Sequence, residues 1–70
     1  MENNSGQKFR DLRKSKGVKR CELSLKSGVS LPQITNIEKG RITYPHVITL
    51  SKLSKALECD FEEIYKIFYN

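Results

Sequence analysis

The side chains of this 70-residue chain that are able to do chemistry are mostly cations, and they are unevenly placed. Thirteen Lys and Arg stand against eight Asp and Glu, a formal charge of +5. Residues 1–41 hold ten of the cations, among them Arg13, Arg20, Lys39 and Arg41, against Glu2, Asp11, Glu22 and Glu38, for a net +6; the remainder carries −1. A basic front and a near-neutral rear suit a domain that meets phosphate with one side and something uncharged with the other, although the same charge also serves as a solubilising surface. Enzymatic groups are missing: there is no Ser/His/Asp or Cys/His constellation, no paired carboxylates and no phosphate-cradling glycine loop. No catalytic residue is therefore assigned, and the single histidine, His46, reads as an exposed loop residue. Cys21 and Cys59 lie far apart with no Cys-x-x-Cys pair, so they read as free thiols of a reducing cytoplasm, with no metal site, no cofactor and no small-molecule ligand evident. The polar Met1–Gly6 stretch lacks an apolar leader core, and no apolar run approaches the roughly 20 residues that span a bilayer. A soluble, cytoplasmic protein is expected.

Positioning those cations falls to short helices. A chain this small buries only about 60% of its unfolded surface, so it holds one domain whose stability comes from tight helix packing or from dimerisation. Residues 1–5 read as a disordered arm and residues 6–70 as a single domain. Five segments then carry apolar residues at helical spacing, separated by turn signals, which predicts an all-α fold. Helix 1 runs from about Gly6 to Lys16, with Phe9 and Leu12 on one face and Gly17 as its stop. Helix 2, about Lys19 to Ser27, turns Leu23 inward and ends at Gly28, where a tight turn needs positive φ. Ser30 is placed to cap helix 3, about 31–39, where Pro32 is tolerated in the first turn and Ile34 and Ile37 form a buried pair. Val47, Leu50, Leu53, Ala56 and Leu57 make the stripe of helix 4. Asp60, with Glu63 three residues on, forms a capping-box pattern that opens a final helix carrying Phe61, Ile64, Tyr65, Ile67, Phe68 and Tyr69.

Arg20 to Lys39 has the spacing of a helix-turn-helix. Small Ser24 permits close approach of the second helix, Gly28 makes the turn, and Leu23, Val29, Ile34 and Ile37 fill the wedge. Over about residues 6–65 the sequence resembles the Cro/repressor-type (Xre-like) DNA-binding domain. The resemblance rests on Phe9-Arg10-Asp11-Leu12-Arg13 followed by Gly17, then Glu22-Leu23-Ser24, Ser27-Gly28-Val29-Ser30, Ile34-Thr35-Asn36-Ile37-Glu38-Lys39-Gly40, Pro45, and Leu50-Ser51-Lys52-Leu53-Ser54-Lys55-Ala56-Leu57. It implies a lambda-repressor-like fold of five short helices and a bacterial or phage regulator of transcription, acting as a repressor, that binds double-stranded DNA as a homodimer on a pseudo-palindromic operator.

In that family the second helix of the unit lies in the major groove. Position by position, the resemblance assigns base contacts to Leu31, Pro32, Gln33, Thr35 and Asn36. A side-chain amide can make a bidentate contact to adenine N6 and N7, which favours Asn36 and then Gln33 as base readers. Each is otherwise an exposed polar residue on a helix, and Gln33 can instead complete the Ser30 capping arrangement. Leu31 and Pro32 depart from the polar pair many relatives carry, and suit apolar contact with a thymine methyl. Phosphate contacts fall to Arg20, which replaces the glutamine usual there, and to Ser30, Lys39, Arg41 and Thr43, with Tyr44 and His46 as weaker candidates. The family also pairs Arg13 with Glu38 as a structural ion pair from helix 1 to the end of helix 3. Part of the apolar last helix is core; the excess, at Phe61, Tyr65, Phe68 and Tyr69, is assigned to a two-fold dimer contact. The competing use of the same fold is an antitoxin or adaptor whose last helix binds a protein partner.

Overall fold

Ten apolar side chains drawn from all five segments converge on one core: Phe9, Leu23, Val29, Ile34, Ile37, Leu50, Leu53, Leu57, Ile64 and Phe68. In the computed structural model, which describes residues 4–69, they are carried by α1 (Ser5–Ser15), α2 (Arg20–Ser27), α3 (Leu31–Glu38), α4 (Val47–Ala56) and α5 (Phe61–Tyr69), and the described residues contain no strand. Helix α1 packs on α3 and α5, α2 on α3 and α4, and α4 on α5. In α1, α3, α4 and α5 the inward residues recur three or four apart, so each buries one stripe and leaves the rest to water, while α2 contributes Leu23 alone.

The helix-turn-helix is built from α2, the turn 28–30 and α3. Gly28 adopts φ +79°, a left-handed conformation that costs other residues a clash with their own Cβ, and its N–H closes α2 on the Ser24 carbonyl at 2.9 Å. Ser24 does more than stay small, since its hydroxyl donates to the Val29 carbonyl at 2.7 Å and fastens the turn to α2. The Ser30 hydroxyl then caps α3 by accepting from the Gln33 N–H at 3.3 Å, with Pro32 in the first turn. Helix α5 opens differently from the expected capping box, because the Glu63 N–H bonds the backbone carbonyl of Asp60 at 3.1 Å and not its carboxylate. His46, read from sequence as a plain loop residue, caps α4: its Nδ1 accepts from the Ile48 N–H at 3.1 Å.

The amino-terminal end is tied in more firmly than an arm would be. Ser5 is already helical, and its hydroxyl donates to the Ile67 carbonyl of α5 at 2.8 Å, so α1 starts one residue inside the segment expected to be disordered; residues 1–3 of that segment lie outside the described residues. Next to it, Gly6 is buried against the end of α3. A Cβ there would lie 2.5 Å from the Glu38 carbonyl oxygen and 2.6 Å from that of Ile37. Backbone cannot yield as a flexible side chain does, so Gly6→Ala is expected to destabilise the domain by about 1–3 kcal/mol through forced separation of α1 from α3. Thermal and urea unfolding of that variant checks it; an unchanged midpoint would show that the two helices are free to part.

Candidate nucleic-acid interface

The helix expected to enter a groove shows one buried and one open face. Ile34, Ile37 and Glu38 are buried, Leu31 and Pro32 are exposed, and Gln33, Thr35 and Asn36 are half-buried. The five residues assigned to base contact thus share the face and the amino-terminal turn of α3 that the core leaves free. Their amides are not idle. Gln33 Nε2 donates over a long 3.5 Å to Thr49 Oγ of α4, and the Gln33 side chain does not return to Ser30 to complete a capping box. Asn36 Oδ1 accepts from Arg41 Nη1 at 3.3 Å.

Beyond Lys39 the chain turns back on α3. Gly40, at φ +81°, lets the Arg41 and Ile42 N–H groups both reach the Asn36 carbonyl, at 2.9 and 3.2 Å. This folded return holds Arg41 beside the α3 face, and Lys39, Arg41 and Thr43 are all exposed there. Ser30 is exposed at the opposite end of α3, where its hydroxyl is already engaged as the cap.

Arg20, at the start of α2, is held from below. Its Nε donates to Glu38 Oε1 at 2.9 Å, while Arg13 approaches the same carboxylate with Nε to Oε2 at 2.6 Å and Nη2 to Oε1 at 3.2 Å. Arg13 Nη1 also donates to the Val18 carbonyl at 2.7 Å. Glu38 therefore joins α1, α2 and α3, its side chain 1% exposed, and that of Arg20 34% exposed. The two guanidiniums leave this buried centre with a net positive charge, and the terminal nitrogens of Arg20 make no bond among the described residues. Spacing gave no hint of the Arg20 bond, since 18 residues and a turn separate the partners.

Four aromatic rings form a continuous run along α5 and the loop before α4. Tyr44 meets Tyr69 at 5.5 Å between centroids, Tyr69 stacks on Tyr65 at 5.0 Å and 14°, and Tyr65 meets Phe61 at 5.6 Å. The Tyr69 hydroxyl donates to the Pro45 carbonyl at 2.6 Å. Tyr44, expected on the phosphate side, thus leans on α5. One expectation is corrected: Phe68 is 5% exposed and packs on Phe9 at 6.1 Å, so it belongs to the core of the protomer and has no surface to offer a second copy. Phe61 and Tyr65 stay exposed, as do Val47 and Ile48, the latter 60% accessible.

Other chemistry finds little here. Cys21 is exposed and Cys59 half-buried, both unpaired; burial and the neighbouring Glu63 carboxylate push the Cys59 thiol up from its ordinary value against the opposing pull of Lys16, which keeps it protonated. Among the described residues no cluster of His, Cys, Asp and Glu is placed to hold a metal ion, and no helix is long and apolar enough to cross a membrane.

Comparison with known proteins agrees with this geometry. The chain is 38% identical over 60 residues to the HTH-type transcriptional regulator SlrR of Bacillus subtilis (strain 168), which covers 86% of this chain and 40% of that protein. It is 37% identical over 59 residues to the HTH-type transcriptional regulator y4dJ of Sinorhizobium fredii (strain NBRC 101917 / NGR234), covering 84% of this chain and 75% of that one. The chain therefore spans well under half the length of SlrR and three quarters of y4dJ. No solved structure gives a significant match. Residues 9–64, which include the whole of α2 to α4 and the paired Arg13 and Glu38, match the profile of the helix-turn-helix family, and with that match the chain belongs to the Cro/repressor-type helix-turn-helix family.

Proposed function

We propose that this protein represses transcription by binding double-stranded DNA as a homodimer on a pseudo-palindromic operator, with α3 in the major groove. The observation that carries the proposal is the open side of α3: side-chain types suited to base contact at 31–33, 35 and 36 are exposed or half-exposed, with exposed Lys39 and Arg41 beyond its end and Arg20 held against Glu38. Leu31 and Pro32 offer apolar contact, Gln33, Thr35 and Asn36 offer hydrogen bonds, and the flanking cations with Ser30 and Thr43 fix the helix against phosphates. Tyr44 contributes less to that clamp, given its contact with Tyr69. The protein works as a binder and not as an enzyme, in the cytoplasm where the DNA is.

Two copies would meet through the exposed rings of Phe61 and Tyr65 with the rim of Tyr69. Aromatic residues with polar tips suit a contact that is wet at its edge and apolar at its centre. A two-fold axis there would set the recognition helices about 34–36 Å apart, one turn of DNA.

Fluorescence anisotropy with the duplex upstream of the protein's own gene and with a scrambled duplex tests the function, with sedimentation giving the mass bound. Binding about tenfold or more tighter to the upstream duplex is expected, with two protomers per site and loss of the preference in Asn36→Ala. A folded protein that binds neither duplex at low salt would sink the proposal and favour the adaptor use of the same fold.

A further inference from the structure

A free carboxamide reads adenine because it presents an acceptor to the N6 amino group and a donor to N7. Asn36 is not a free carboxamide. Its Oδ1 accepts from Arg41 Nη1 at 3.3 Å, and Arg41 is brought to that place by backbone bonds, since its own N–H and that of Ile42 both close on the Asn36 carbonyl at 2.9 and 3.2 Å. Nδ2 of Asn36 makes no bond among the described residues, so the amide keeps its N–H hydrogens for another partner while a guanidinium sits against its oxygen.

The geometry points to Arg41 as a specificity-determining residue: by taking one lone pair of Asn36 Oδ1 and setting a cation against it, Arg41 weakens the amide as an acceptor and selects guanine over adenine at the base pair that Asn36 meets. The specificity rests on the DNA-binding function proposed above. Guanine shows two acceptors in the major groove, N7 and O6, which match the Nδ2 hydrogens and the remaining guanidinium N–H groups. Adenine offers N7 and an amino donor, and that donor would have to reach the second lone pair of Oδ1 alongside the guanidinium N–H groups. Donor against donor is a repulsive contact, the element that turns a preference into discrimination. The charge of Arg41 would contribute to affinity on any sequence, whereas its bond to Asn36 acts at one position only.

Selection from a randomised duplex library, followed by anisotropy on the selected site with each base pair replaced in turn, tests this with wild type, Arg41→Met and Asn36→Ala. Methionine keeps length and loses both charge and donors at an exposed position, and circular dichroism confirms that the fold persists. Wild type is expected to prefer guanine over adenine at one position of each half-site by about tenfold. In Arg41→Met that ratio should fall to near one or invert toward adenine while the preferences elsewhere in the site persist; Asn36→Ala should lose the preference at the same position. A uniform weakening by Arg41→Met, with the ranking of bases unchanged, overturns the assignment of Arg41 and leaves DNA binding intact. Failure of the wild type to retain any duplex overturns both.

Discussion

Glu38→Ala is expected to remove about 3–5 kcal/mol, a large share of the stability of the domain. The substitution removes the one carboxylate that Arg13 and Arg20 share and strands the buried Arg13 guanidinium, whose bonds at 2.6 and 3.2 Å it received. Breaking a buried pair by deleting one partner costs about 3–5 kcal/mol, because the remaining charge has neither water nor counterion. A domain of this length has only about 4–10 kcal/mol of total stability. Arg20→Ala makes the contrast: its side chain is a third exposed, so solvent screens the pair and the loss should stay below about 1 kcal/mol. Replacing both Arg13 and Glu38 with Met and Leu should recover most of what Glu38→Ala loses, since no buried charge is then left over. Urea unfolding followed by far-ultraviolet circular dichroism ranks the three variants. A Glu38→Ala protein within 1 kcal/mol of wild type would mean that water reaches the Arg13 site.

Affinity for DNA is expected to fall by roughly a thousandfold between about 50 and 200 mM salt. If Arg20, Lys39 and Arg41 of each protomer meet phosphates as proposed, a dimer would neutralise about six of them and the logarithmic slope against salt would be close to −5. A single protomer on its half-site would give a slope near −3 and a loss of only about fortyfold over the same range, so the titration also reports stoichiometry. Removing one cation by Lys39→Ala should lower the dimer slope by about two, because the change occurs twice. A slope near zero would remove the phosphate clamp from the account and point to a contact with protein.

How much of this was legible in the sequence depends on how local the cause is. The five helices follow from apolar spacing, and the turn at Gly28 and the cap at Ser30 stand where local stereochemistry puts them. Helix ends shifted by a residue, as at Ser5, because the Ser5 hydroxyl finds a partner in α5 that only tertiary packing supplies. The last helix carries two interleaved stripes with the same four-residue step, Ile64 with Phe68 and Phe61 with Tyr65 and Tyr69. Periodicity alone does not say which faces inward, and burial of Phe68 against Phe9 is decided by tertiary packing. Histidine is an uncommon helix cap, which hid the role of His46. The bonds of Arg20 to Glu38 and of Arg41 to Asn36 depend on how the chain doubles back around α3, and no pattern of residue types announces them.

The division of α3 into a buried and an open face also bears on how such a protein changes its target. Ile34, Ile37 and Glu38 fasten the helix to the rest of the domain, while the Leu31 and Pro32 side chains are exposed and hold little of it together. Substitutions on the open face are therefore nearly neutral for folding, in the range of ordinary surface changes of about half a kcal/mol. New operators are reachable one residue at a time without passing through an unstable intermediate. A scaffold of this kind can diversify its targets while its framework stays still.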